Sequence, residues 1–317
     1  MDALSDVLST LRVNSMFSSR FEGSGRWALR FPSYKHIKFG CVLSGEFWLG
    51  LAGAEPVRIQ SGDIYLLTSG NPFFSASDPG ARPLDGPENY RRYRNEDGVV
   101  RYCGSPDESC PSVSLASGRF TFEHDAADLL LDNLPPLIHL QASESDTSEL
   151  SLMMSLLRLE VSKDRIGAEV ARSSLAALIL VNVLRAWIAG TSSPTGWLGA
   201  LSDTKIGRAL TMMHAQPEKK WTLQGLATEV SMSRTAFASH FRRMVGYTPL
   251  DYLFRWRLLL AKTALRHSSE SLSELAWRIG YQSDTAFSIA FKRATGYSPG
   301  QYRQCSRSSP AEDIPAD

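Results

Sequence analysis

The sequence has 317 residues, 43% hydrophobic and 21% charged, with a formal net charge of +1. That length accommodates two domains at ~100–200 residues each, and those fractions exclude a disordered or fibrous chain, as four cysteines exclude a disulfide scaffold. No basic region precedes an apolar run at the start, and the most apolar stretch, 175–183, reads as too short to span a membrane, so the cytoplasm is the expected location.

Leu4, Val7, Leu8 and Leu11 share one side of a short amphipathic helix over residues 1–11. From Phe31 to Phe122 the period shortens. Ile37, Phe39 and Cys41 alternate, as do Phe47, Leu49 and Leu51 beyond the Ser44-Gly45 turn. Val57 and Ile59 follow, then an apolar run over 64–67 closed by Ser69-Gly70-Asn71-Pro72, then Val113, Leu115, Phe120 and Phe122. Short strands punctuated by Gly and Pro turns predict a sandwich or barrel. Phe39, Phe47, Trp48 and Phe73, with His36, are the candidate lining of an effector pocket; aromatics so placed also read as simple core.

Residues 77–112, rich in Gly, Pro, Arg and Asp, are expected to form a long surface insertion, partly disordered. Its Arg91, Arg92, Arg94 and Arg101 suit an anion, while Glu88, Glu96 and Asp97 favour a self-neutralising loop. Oxidant sensing by Cys41, Cys103 or Cys110 stays open, although the acids Asp107 and Glu108 disfavour a reactive thiolate at the latter two.

Helical spacing returns over 146–189. Leu150, Met153, Met154, Leu157 and Val161 form one stripe; Leu175, Leu178, Ile179, Asn182, Val183 and Ala186 form another. Two antiparallel helices around Arg165-Ile166-Gly167 are the simplest reading. A Ser/Thr/Gly/Pro linker follows, and Ser202-Asp203 opens a helix with Ile206, Leu210 and Met213 inward.

The most informative stretch, 221–303, contains one pattern twice. Phe241, Arg243, Gly246, Tyr247, Pro249 and Tyr252 recur fifty positions on as Phe291, Arg293, Gly296, Tyr297, Pro299 and Tyr302. Upstream, Leu223, Leu226 and Val230 recur at forty-nine as Leu272, Leu275 and Ile279, so the second copy holds one extra residue in its turn. Each copy reads as helix-turn-helix. Thr222 and Ser271 are candidate N-caps, the latter within the capping box Ser271-Leu-Ser-Glu274, and Ser233 and Ser283 cap the following helices. Gly246 and Gly296 stop those helices, with prolines behind them. Such a motif places its second helix in the major groove. Charge agrees: residues 205–305 carry fifteen Lys and Arg against six Asp and Glu, residues 1–204 eighteen against twenty-four. A basic C-terminal third suits a polyanion.

With its double motif, the region 221–303 resembles the DNA-binding domain of the AraC/XylS family of bacterial transcription regulators. The resemblance implies a helix over 250–267 joining the two modules, and Leu250, Leu253, Phe254, Leu258, Ala261 and Leu265 give it an apolar stripe. The N-terminal half resembles the cupin-type effector domain of one branch of that family. It carries Gly62-Asp63, Ser69-Gly70, Gly118-Arg119-Phe120 and the stretch from Leu134 through Pro135, Pro136, Leu137, Ile138 and His139 to Leu140. Metal-binding cupins carry a histidine where Phe73 stands and a His-x-His pair that is absent, so no metal or other cofactor is expected. The resemblance further implies dimerisation through the 146–190 helices, although these also read as a mere cover for the strands. It implies RNA polymerase as a partner and activation as the commoner role.

The expected chain is thus α+β: a cupin-like barrel that senses a small-molecule effector (1–140), a helical dimerisation segment (146–190), a linker (191–202), an all-α double helix-turn-helix domain (203–305) and a disordered tail (306–317). It is expected to bind double-stranded promoter DNA, with no membrane association and no enzymatic role. The competing reading is a cupin metal enzyme fused to a DNA-binding tail; a third is a DNA-binding protein with an inert sensor. On the recognition helices Arg234, Thr235, Ser239, Asp284, Thr285 and Ser288 are candidate base readers. Arg242, Arg243, Lys292 and Arg293 are candidate phosphate clamps. Ile289 also faces outward on this reading, and Asp284 reads equally as a helix-dipole partner.

Overall fold

The computed structural model describes residues 2–35, 37–104, 112–122, 134–142, 149–162, 165–190 and 196–308. They fall into two compact units: one holds 13–122 and 134–190, the other 2–12 and 196–308.

The first unit is built on eleven described strands: β1 (Asn14–Ser24), β2 (Ala28–Phe31), β3 (Ile37–Ser44), β4 (Glu46–Leu51), β5 (Val57–Gln60), β6 (Ile64–Leu67), β7 (Phe73–Ala76), β8 (Leu84–Asp85), β9 (Val99–Cys103), β10 (Val113–Thr121) and β11 (Leu137–Leu140). They form two sheets, ordered β11-β6-β3-β10-β1-β9 and β5-β4-β7-β2-β8. Pairing is antiparallel except β1 with β9 and β2 with β8. One core joins the sheets: Phe21, Val42, Tyr65 and Val113 from the first meet Leu29, Phe47, Leu49 and Ile59 from the second. Asp63 pins the β5–β6 turn to the end of β11. It is buried and accepts from Gln60 N–H (2.9 Å) and Ala142 N–H (2.8 Å), with His139 Nε2 at 2.8 Å. Burying a carboxylate is tolerated when its lone pairs are so satisfied.

Three helices accompany the sheets: α2 (Gly86–Arg92), α3 (Glu149–Ser162) and α4 (Ala168–Gly190). The expected loop over 77–112 is corrected here. It contains β8, α2 and β9; Tyr90 stacks on Phe21 and meets Phe31 edge-on, while Val99 and Val100 are buried. Few apolar residues serve this segment, and Tyr90, Tyr93, Val100 and Tyr102 tie it to the main core while Leu84 stays exposed. α4 packs on β1 and β11, and α3 on α4 and β3. At 23 residues, α4 is long and apolar enough to cross a membrane by length and composition alone, contrary to the short run expected from 175–183. The helix extends beyond that apolar run on both sides, from Ala168 to Gly190.

The second unit is entirely helical: α1 (Ala3–Thr10), α5 (Gly196–Ala200), α6 (Thr204–Ala215), α7 (Leu223–Glu229), α8 (Arg234–Val245), α9 (Pro249–His267), α10 (Leu272–Arg278), α11 (Asp284–Thr295) and α12 (Pro299–Ser308). Three expected boundaries change. Residues 2–12 belong to this unit rather than to the strands: Ala3, Leu4, Val7 and Leu11 are buried, and α1 packs on α6 and α9. Residues 196–200, expected as linker, form α5, with Trp197 and Leu198 buried. α12 extends into the expected tail as far as Ser308; residues 309–317 lie outside the described set. On α9 the buried face is Tyr252, Leu253, Trp256, Leu259, Ala261, Ala264 and Leu265, while Leu250 and Phe254 are exposed. The aromatic bulk of Tyr252 and Trp256 sets that rotation, with His214 stacked on Trp256 at 3.9 Å and bonded to Tyr252 Oη at 2.8 Å.

Candidate DNA interface

The two helix-turn-helix copies are α7–α8 and α10–α11. Local chemistry starts and stops each helix. Gly225 N–H donates to Thr222 Oγ1 (2.9 Å), Ala236 N–H to Ser233 Oγ (3.3 Å) and Ala286 N–H to Ser283 Oγ (3.1 Å). The capping box is complete, with Glu274 N–H on Ser271 Oγ and Ser271 N–H on Glu274 Oε2. Gly246 and Gly296 end α8 and α11 in the left-handed region, at φ 88° and 79°. Both turns close on an equivalent backbone bond, Met232 N–H to Ala227 O and Tyr281 N–H to Ala276 O. Ser231 and Gly280 both take positive φ. The extra residue of the second copy is therefore Gln282, between that bond and the Ser283 cap.

α8 buries Phe237, Phe241 and Val245, and α11 buries Phe287 and Phe291. The opposite faces are open. Arg234, Thr235, Ser239, Arg242 and Arg243 are exposed on α8, as are Asp284, Thr285, Lys292 and Arg293 on α11. Ser288 differs: it is half-buried beside Phe287, and Ile289 holds the outward position. Ile289 is the repeat equivalent of Ser239, fifty positions on, and Ser288 that of Ala238. Asp284 is the first residue of α11, behind the Ser283 cap, where the helix dipole favours an acid.

Arg243 is held from behind. Its Nη2 donates to His240 Nδ1 (2.7 Å), so the remaining ring proton lies on Nε2, 2.7 Å from Asp203 Oδ2. Asp203 also caps α6, accepting from Lys205 and Ile206 N–H at 2.9 Å. Burial raises the Asp203 carboxyl, but the Ile206 N–H and His240 outweigh it and leave it below the usual carboxylate range.

The proposed effector residues are only partly brought together: Phe73 packs against the core cluster that holds Phe47. Phe47 lies in the core between the sheets, against Trp27 and Tyr65. Phe39 belongs to a separate stack with Phe17 and Phe120. Trp48 is half-buried on β4, and His36 lies outside the described residues. Phe73 sits in an aromatic group with Phe31 and Tyr34, and the Lys38 ammonium lies over the Tyr34 and Phe73 rings. An open groove of about 470 Å³ runs along the ends of β1, β9 and β10, lined by Arg20, Glu22, Arg101 and Cys103 among others. Its arginines are neutralised: Arg20 and Arg101 reach Glu22 at 2.9 Å, and Arg101 reaches Asp97 at 2.7 Å. No group of three or more His, Cys, Asp or Glu among the described residues is arranged to hold a metal ion.

A sheet-rich unit and a helical unit presenting two recognition helices on one linker helix define a two-part DNA-binding regulator. Comparison with known proteins agrees. A family described as "Cupin" matches residues 2–189, and a "Helix-turn-helix domain" matches 226–304. A putative AraC-like transcription regulator of Streptomyces lividans is 37% identical over 306 residues, covering 96% of this chain and 98% of the relative. The HTH-type transcriptional regulator AlkR of Acinetobacter baylyi is 31% identical over 308 residues, covering 96% and 99%. The crystal structure of the AdpA DNA-binding domain with a target DNA matches 34% of this chain and 96% of that domain, at 33% identity and TM-score 0.32. The chain belongs to the AraC family of transcription regulators, in a branch with an N-terminal cupin domain, and its helix-turn-helix unit is DNA-binding.

Proposed function

We propose that the chain is a cytoplasmic, effector-controlled activator that binds promoter DNA as a dimer and acts through RNA polymerase, without enzymatic activity. The observation that carries the DNA-reading part is the pair of capped recognition helices, each with its phenylalanines inward and basic residues on its outward face. On this reading α8 and α11 enter successive major grooves, about 34 Å apart. Arg234, Thr235, Ser239, Asp284, Thr285 and Ser288 contact bases, and Arg242, Arg243, Lys292 and Arg293 hold phosphates. The sheet unit takes the effector, a role supported by the aromatic group around Phe73 and Lys38. The non-enzymatic part is supported by the packed aromatic core between the sheets. A second copy is supported by Leu152, Leu156 and Leu159, exposed at helical spacing on α3.

Genome-wide occupancy of the wild type beside an Arg234→Ala/Thr285→Ala variant tests this function. Discrete promoter peaks that vanish in the variant are expected. Unchanged peaks, or none with in vitro binding no better than non-specific, would overturn the site.

A further inference from the structure

We propose that Ile289 reads the 5-methyl group of a thymine, making the half-site under α11 chemically unlike the one under α8. This rests on the DNA-reading function above and names one of its specificity determinants.

Ile289 is 66% exposed. At ~100° per residue it lies about 160° around the helix from each of the buried Phe287 and Phe291, so it is the most outward position of α11. Thr285 stands one turn before it, and Lys292 and Arg293 one turn after, all exposed. A phosphate-facing or solvent-facing stripe has no use for an isoleucine at its centre. Its β-branched side chain is also no better than neutral for the helix, so neither packing nor propensity accounts for it.

The major groove offers one apolar feature, the thymine C5-methyl, and an aliphatic side chain is its partner. The equivalent position of the first copy is Ser239, also exposed on a helix of the same length and capping. Two helices of common design therefore differ in the chemistry of their central contact: a hydroxyl that bonds to base edges on one, a branched hydrocarbon on the other. A site built for one helix cannot serve the other, which fixes the direction in which the chain lies on its operator.

The test uses the full-length protein. A preferred duplex is selected from a random pool, and each of its thymines is replaced in turn by deoxyuridine, which pairs alike but lacks the methyl group. Binding is measured for wild type, Ile289→Ser and Ile289→Val. At one or two positions deoxyuridine should weaken the wild type about fourfold, the worth of one buried methyl group. Ile289→Ser should already bind the thymine duplex that much more weakly and lose nothing further at those positions. Ile289→Val should keep most of the discrimination. Thermal melting should be unchanged, since the side chain is exposed. Equal sensitivity of wild type and Ile289→Ser at every position would overturn the inference while leaving DNA reading intact. Failure to select any preferred duplex would overturn both.

Discussion

The guanidinium of Arg257 occupies the space that a side chain at Gly280 would need. A Cβ there would lie 2.5 Å from Arg257 Nη2, and Gly280 already holds φ at 87°. Arg257 Nε donates to Pro217 O (2.7 Å) and Nη2 to Lys219 O (3.0 Å). One half-buried side chain on the linker helix thus ties the turn of the second module to the segment that leads into the first. Gly280→Ala should destabilise by about 1–3 kcal/mol, from the left-handed backbone and the displaced guanidinium. Arg257→Met should instead strand two carbonyls and loosen the spacing of α8 and α11. Chemical denaturation reads the first effect; DNase footprinting, with weakened protection in both half-sites, reads the second.

The buried His214 predicts a stability loss in mild acid. Burial pushes its imidazole down to about 3, against a weaker opposing effect of the Ala3 backbone. The unfolded chain takes up a proton near pH 6.5 and the folded chain does not, so stability present above pH 6.5 is lost as pH falls from there toward 3. Between pH 7.5 and 5.5 the group alone should remove about 1.4 kcal/mol. Urea unfolding at those two pH values should show that difference in wild type and a smaller one in His214→Gln.

Arg242 and Arg293 have no other assigned role, so replacing either by alanine should cut the salt dependence of DNA binding by about 0.9 in log–log slope, one phosphate's worth. Arg243→Ala should do the same and also release His240 from its position against Asp203. Fluorescence anisotropy on a labelled operator across ~50–200 mM salt separates these cases. An unchanged slope would remove the residue from the phosphate contacts.

On α3, Leu152→Asp with Leu156→Asp should convert a dimer to a monomer in sedimentation velocity while leaving the far-ultraviolet circular dichroism intact, because both side chains are exposed. A dimer that persists would place the interface elsewhere.

Thiol chemistry should divide the described cysteines. Burial pushes the Cys41 thiol up to about 12, whereas Cys103 and Cys305 are exposed. Iodoacetamide at pH 8, followed by mass spectrometry, should label Cys103 and Cys305 in the native protein and Cys41 only after unfolding. Native labelling of Cys41 would show that its strand opens.

The helix-turn-helix copies are legible in sequence because their signals are local. Thr222, Ser233, Ser271 and Ser283 sit next to the helices they cap, and Phe237/Phe241 and Phe287/Phe291 are one turn apart. β1 escapes the same reading: Asn14–Ser24 is rich in Ser, with register shifting between Phe17 and Ser19, so its alternation breaks. The segment from Leu84 to Cys103 escapes because its order comes from distant partners, such as Phe21 beneath Tyr90. Within the candidate site, outward faces follow from spacing alone. How far Ser288 is covered does not, because that depends on what packs against the helix. Phe39 and Phe47 illustrate the same limit in the sheets: both are buried aromatics, but which core each enters depends on how the two sheets pair.

The placement of α1 has a consequence for biosynthesis. Roughly 190 residues separate it from α6, and its other neighbour α9 comes later still. At the ~5–20 residues per second of translation, its apolar face waits about 10–40 s for a partner, while every strand of the sheet unit is made in between. The sheet unit can close on the ribosome from a continuous stretch of chain. The DNA-binding unit is completed only later, because α1 is made before the strands and its partners α6 and α9 after them. A nascent chain therefore completes its sheet unit before its DNA-binding unit, and any tag or truncation at residues 2–12 falls on the DNA-binding half.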